Sequence, residues 1–78
     1  MNESDRILEI ASRRVPNTMR LTRHSKLDAS LGWDHLDMIE FVMEVEYELG
    51  VTITNDEICL LDTIGDIIDM VMSKRNIP

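Results

Sequence analysis

The sequence predicts an all-α fold, a four-helix bundle with a long first loop and a short third helix. Three observations predict it. Apolar residues recur with a helical period in three stretches, residues suited to capping a helix start stand at three places, and strand character is confined to Val51-Thr52-Ile53, too isolated to pair.

The first helix is expected over roughly Ser4 to Arg14, with an apolar stripe of Ile7, Leu8, Ile10, Ala11 and Val15, and Pro16 stops it. A connection from Asn17 to Trp33 follows, in which Leu21, Leu27 and Leu31 are spaced to pin an ordered loop to the core. Its 17 residues exceed the usual connection in a compact domain. The second helix runs from Asp34 as N-cap to Leu49 and is closed by Gly50. Thr54 and Glu57 form a capping box for a third helix from Asn55 to about Leu61. Thr63 and Asp66 form another for the fourth, where Ile64, Ile67, Ile68, Val71 and Met72 give one apolar face.

Seventy-eight residues are expected to make a single domain, residues 1–78. One cysteine, Cys59, permits no intrachain disulfide, suits a reducing cytosol, and is expected to be a small, partly buried hydrophobe. No stretch reaches the roughly 18 apolar residues of a membrane span, and Met1 to Arg14 has no apolar signal core. The expectation is a soluble cytoplasmic monomer.

Fifteen acids against eight Lys and Arg give a net charge of −7, which argues against nucleic acid and anionic membranes as partners. Six of the eight cations lie between Arg6 and Lys26, and from Leu27 to Ser73 there are twelve acids and no Lys or Arg. The C-terminal two thirds therefore suit a basic protein partner.

On the second helix, Met38, Phe41, Val42, Val45 and Leu49 make a core face, and Asp37, Glu40, Glu44 and Glu48 fall together on a flank. Leu36, Ile39 and Met43, with Tyr47 near them, fall opposite the core face. A second apolar face bordered by carboxylates points to a docking surface with an electrostatic rim. The competing reading is a solvated acidic face, with Leu36, Ile39 and Met43 packed under the long loop. Repulsion between Glu40 and Glu44, and between Glu44 and Glu48, costs the isolated helix stability and favours the docking reading.

The run Leu31-Gly32-Trp33-Asp34-His35-Leu36-Asp37-Met38-Ile39-Glu40 resembles the acyl carrier protein signature L-G-x-D-S-L-D-x-x-E. The similarity continues through Phe41-Val42-Met43-Glu44-Val45-Glu46 and Val51 to Glu57, reaches Asp62-Thr63-Ile64, and spans about Asp5 to Val71. It implies a bundle whose second helix is read by enzymes of fatty-acid and polyketide synthesis. It also implies a serine after Asp34 carrying phosphopantetheine, whose thiol holds the acyl chain as a thioester.

His35 stands where that serine should be. The group is joined through a phosphodiester to a hydroxyl oxygen, and imidazole offers no equivalent stable linkage. Ser30, the nearest upstream hydroxyl, would start the helix five residues early and put Gly32 in its first turn. An engineered exchange, a natural loss of carrying, and a catalytic or metal-binding histidine are the three readings of His35. His24 and His35 near Asp34 and Asp37 match no standard zinc spacing, and an exposed helix start offers neither the pocket nor the oriented partner of an acid–base catalyst, so neither a metal site nor an enzyme is expected. Trp33 is either a partner anchor or a cover for the helix end.

The expected function is an acyl-carrier-like docking module without phosphopantetheine. Asp34 caps the helix, Asp37, Glu40, Glu44 and Glu48 meet basic residues of acyl-processing enzymes, and Leu36, Ile39 and Met43 supply apolar contact. The alternatives are a genuine carrier whose serine has been exchanged, and a regulatory or structural protein-binding subunit. The basic stretch Arg13, Arg14, Arg20, Arg23 and Lys26 is either a second interface or a solvated offset to the acidic helix.

Overall fold

A computed structural model describes residues 2–75. Four α-helices follow one another, α1 Glu3–Ser12, α2 His35–Leu49, α3 Asn55–Ile58 and α4 Ile64–Arg75, with one 3₁₀ turn at Ala29–Leu31 in the first loop. Among the described residues β-pairing is limited to an isolated antiparallel bridge between Lys26 and Thr63, and no helix is long and apolar enough to cross a membrane.

Helix α1 packs against both α2 and α4. Ile7, Ile10 and Ala11 of α1 meet Phe41, Val42 and Val45 of α2 and Ile64, Ile67, Ile68 and Val71 of α4 in one buried cluster. Met38, Leu49, Ile53 and the loop residues Leu27, Leu31 and Trp33 complete it. Met72 is exposed instead of joining this face, because it lies at the edge of the arc centred on Ile64 and Val71.

The helix ends depart from expectation for a common reason. Helix α1 closes at Ser12 because Arg13 and Arg14 donate to Ile10 and Ala11, three residues back. Helix α3 closes at Ile58 because Leu60 and Leu61 donate to Glu57 and Ile58 in the same tightened geometry. Within that turn Ile58 and Leu61 pack against the core, while Cys59 and Leu60 point out. Cys59 is thus exposed, a correction to its expected partial burial.

The starts follow the capping residues. Thr54 Oγ1 accepts from the Glu57 N–H at 3.2 Å and Glu57 Oε1 accepts from the Thr54 N–H at 2.9 Å. Asp66 Oδ2 accepts from the Thr63 N–H and Thr63 Oγ1 from the Asp66 N–H. Glu57 also receives the Lys74 ammonium at 2.8 Å, which ties α3 to the end of α4 and holds the Glu57 carboxyl below its ordinary range. Thr54→Ala is expected to cost about 1 kcal/mol, read as a lower urea midpoint at unchanged slope. An unchanged midpoint would show that α3 does not depend on this cap.

The first loop is stitched to α4. Leu27 N–H donates to the Asp62 carbonyl at 2.8 Å, Ile64 N–H to Ser25 at 3.0 Å and Gly65 N–H to Arg23 at 2.8 Å. Two of these donors are amides of α4's first turn, which have no partner within the helix. A Cβ at Gly65 would lie 3.0 Å from the Arg23 carbonyl oxygen, so any larger residue there would push the loop back by a few tenths of an ångström.

Candidate docking helix and the His35 position

The 3₁₀ turn delivers the chain to the head of α2. Asp28 Oδ1 accepts from the Ser30 N–H at 2.8 Å, and Gly32 closes the turn. Trp33 then turns inward. It is only 5% exposed, its ring centroid lies 5.1 Å from that of Phe41 at a 49° tilt, and its indole N–H donates to the Arg14 carbonyl at 3.1 Å. Trp33 is therefore a core residue that fastens the end of α1 to the start of α2. It is unavailable as a partner anchor, and one apolar residue beside a cap carries no periodicity from which its direction could be read.

Asp34 and Asp37 cap α2 reciprocally. The Asp37 N–H donates to Asp34 Oδ1 at 2.9 Å and the Asp34 N–H to Asp37 Oδ2 at 3.0 Å. Donation from the Asp37 amide holds the Asp34 carboxyl below its ordinary range. His35 is the first helical residue and is exposed. Ser30 lies in the preceding 3₁₀ turn, separated from the helix start by Gly32, Trp33 and the Asp34 cap. At the far end Gly50 adopts φ +66°, a left-handed conformation that turns the Val51 N–H back onto the Glu46 carbonyl at 3.2 Å and stops the helix.

The acidic flank faces α1. Arg13 Nη1 contacts Glu44 Oε2 at 2.9 Å and Glu48 Oε2 at 2.7 Å, and its Nη2 contacts Glu9 Oε1 at 3.1 Å. Arg14 reaches Glu40 at 3.2 Å and Glu44 at 3.1 Å, and Arg6 reaches Glu48 at 3.5 Å. Hydrogen bonding to Arg13 holds the Glu48 carboxyl below its ordinary range, and Glu48, followed by Glu9 and Glu44, raises the Arg13 guanidinium. The repulsion among Glu40, Glu44 and Glu48 is thus offset within the molecule, so it does not by itself argue for an external partner. The sequence carries only part of a signal for this arrangement. Arg6 and Arg13 sit seven residues apart, two turns of a helix, which puts them on one side of the first segment, but nothing in the sequence aims that side at α2.

The opposite edge of α2 is apolar and open. Leu36 is 61% exposed, Met43 60% and Tyr47 89%, while Ile39 is half-buried. Leu60, in the turn just past α3, is 74% exposed. The long loop does not cover Leu36 and Met43, since its backbone is engaged with α4. Glu46, beyond this stripe, accepts from the Ile53 N–H at 2.9 Å. Among the described residues no three His, Cys, Asp or Glu side chains converge as a metal site would require.

No family model matches the sequence. The chain is 34% identical over 55 residues to an acyl carrier protein of Thermotoga maritima, a match covering 70% of this chain and 68% of that protein. Its fold superimposes on the crystal structure of a Toxoplasma mitochondrial acyl carrier protein with a TM-score of 0.85, at 27% identity, covering 97% of this chain and 90% of the other. Sequence and architecture agree, and the chain belongs to the acyl carrier protein family.

Proposed function

We propose that this family member serves as a docking module for acyl-processing enzymes and carries no phosphopantetheine. The observation that supports it is His35 at the exposed, capped head of α2. The family's prosthetic group requires a hydroxyl oxygen there, and the residues present do not fit it: the position offers imidazole, and the Ser30 hydroxyl belongs to the preceding turn. The family consists of carriers, not enzymes, and an exposed histidine at this position supplies no catalytic pocket. In this reading Asp34 sets the helix start, Leu36, Ile39 and Met43 meet the partner's apolar surface, and Asp37, Glu40, Glu44 and Glu48 form the rim toward its basic residues. The protein acts as a monomeric single domain, residues 1–78, away from nucleic acid and membrane. We place it in the cytoplasm with its partner enzymes, although the Toxoplasma relative is mitochondrial.

A second reading has its own support. The Asp34–Asp37 box holds the helix start at position 35, and Leu36 and Met43 stand exposed along the same helix, which favours a carrier whose serine has been exchanged. Incubation of the unaltered chain with coenzyme A and a broad-specificity phosphopantetheinyl transferase, followed by intact mass, tests the inability to carry. The mass is expected to stay unchanged. A stoichiometric adduct, at Ser30 or elsewhere, would overturn it.

A further inference from the structure

Three of the four carboxylates that the docking reading offers to a basic partner, Glu40, Glu44 and Glu48, already have arginines on them. Arg13 lies between Glu44 and Glu48, and Arg14 between Glu40 and Glu44, so each guanidinium holds carboxylates from two successive turns of α2. Arg14 grips Glu44 Oε1 through both Nε, at 3.3 Å, and Nη2, at 3.1 Å. An incoming lysine has no such fork and is strongly hydrated, so it does not reproduce this geometry. The apolar edge of the same helix has no such cover: Leu36, Met43 and Tyr47 stand open to solvent.

We propose that Arg13 and Arg14 are built-in competitors for the acidic flank, so that the partner this helix fits draws its affinity mainly from an apolar patch seated on Leu36, Met43 and Tyr47, its basic residues at the rim adding little. The inference rests on the reading that α2 is the docking surface. A cation from the partner meets Glu44 and Glu48 with both carboxylate oxygens already bonded to arginine, and Glu40 with one, so the ion pair gained there is largely offset by the one weakened. Burial of Leu36, Met43 and Tyr47 breaks nothing within the protein. Rim cations therefore steer the partner more than they hold it, and the affinity depends weakly on salt.

The competition can be measured without the natural partner. The isotopically labelled full chain is titrated with tetralysine at low salt while the amides of α2 are followed by NMR, in the parent and in two double variants. Arg13→Gln with Arg14→Gln removes the competitors. Arg20→Gln with Lys26→Gln removes the same formal charge from loop residues that, among the described residues, form no ion pair. The first double variant is expected to bind tetralysine roughly threefold to tenfold more tightly at the Glu40 to Glu48 amides, and the second less than about twofold. Equal tightening in both, or none in the first, would overturn the competition. Should the glutamine variant lose helix by circular dichroism, Arg13→Lys with Arg14→Lys keeps the charge while losing the fork. It is expected to gain about twofold, and no gain would again overturn the proposal. Failure of the docking reading itself appears separately, as a His35→Ser protein that no transferase recognises.

Discussion

His35→Ser is expected to take up one phosphopantetheine per chain from coenzyme A in the presence of a broad-specificity transferase, where the parent takes up none. The substitution returns a hydroxyl to an exposed first helical residue without disturbing the Asp34–Asp37 box, whose two hydrogen bonds use only backbone amides and the aspartate side chains. Trp33 is no obstacle, because its ring is turned inward against Phe41. Intact mass reads the outcome directly. Within this background Leu36→Ala and Met43→Ala are expected to slow modification, since both residues are exposed on the docking stripe and neither supports the core. Charge reversal at Glu40 or Glu44 is a poorer probe than the sequence suggests. A lysine there would face Arg14 or Arg13 and disturb the α1–α2 contact as well as any partner. A His35→Ser protein that stays unmodified with its helices intact would show that the surface no longer serves a carrier's enzymes. The repurposed protein-binding subunit would then be the better reading.

Trp33→Ala is expected to cost about 3–5 kcal/mol. For a domain of this length, with a total stability at the low end of about 5–15 kcal/mol, the variant should be close to unfolded at room temperature. Three losses combine. The indole is buried, its ring packs on Phe41, and its N–H is the donor to the Arg14 carbonyl just beyond the end of α1. Trp33→Phe keeps much of the apolar volume but leaves that carbonyl without its donor, so a smaller loss is expected. Urea denaturation measures both variants. If Trp33→Ala unfolds within about 1 kcal/mol of the parent, the burial of Trp33 is wrong.

The contrast between α2 and α3 shows which parts of this architecture were legible in sequence. Helix α2 was readable at both ends because its boundaries have local chemical causes, an aspartate able to cap and a glycine able to turn left-handed. The end of α3 depended on a choice between four-residue and three-residue hydrogen bonding, and no residue in Ile58-Cys59-Leu60-Leu61 dictates that choice. The candidate site divides in the same way. The three stripes of α2 follow from helical period alone, but what each stripe meets depends on the neighbouring helix. The acidic stripe faces arginines that are distant in sequence, and only packing brings them there. The absence of a hydroxyl at position 35 needed no structure, being a matter of composition at a position fixed by the cap.

The stitching of the first loop to α4 changes what kind of segment that loop is. A connection of this length would ordinarily fluctuate independently of the helices it joins, opening and closing at little cost. Here the carbonyls of Arg23 and Ser25 serve as the missing acceptors for α4's opening amides, and Leu27 returns a bond to Asp62. Releasing the loop therefore strips the start of α4 of its partners, and fraying α4 sets the loop loose. The two are expected to open together around the buried Leu27 and Ile64, so that the amides of Leu27, Ile64 and Gly65 exchange their hydrogens at a common rate.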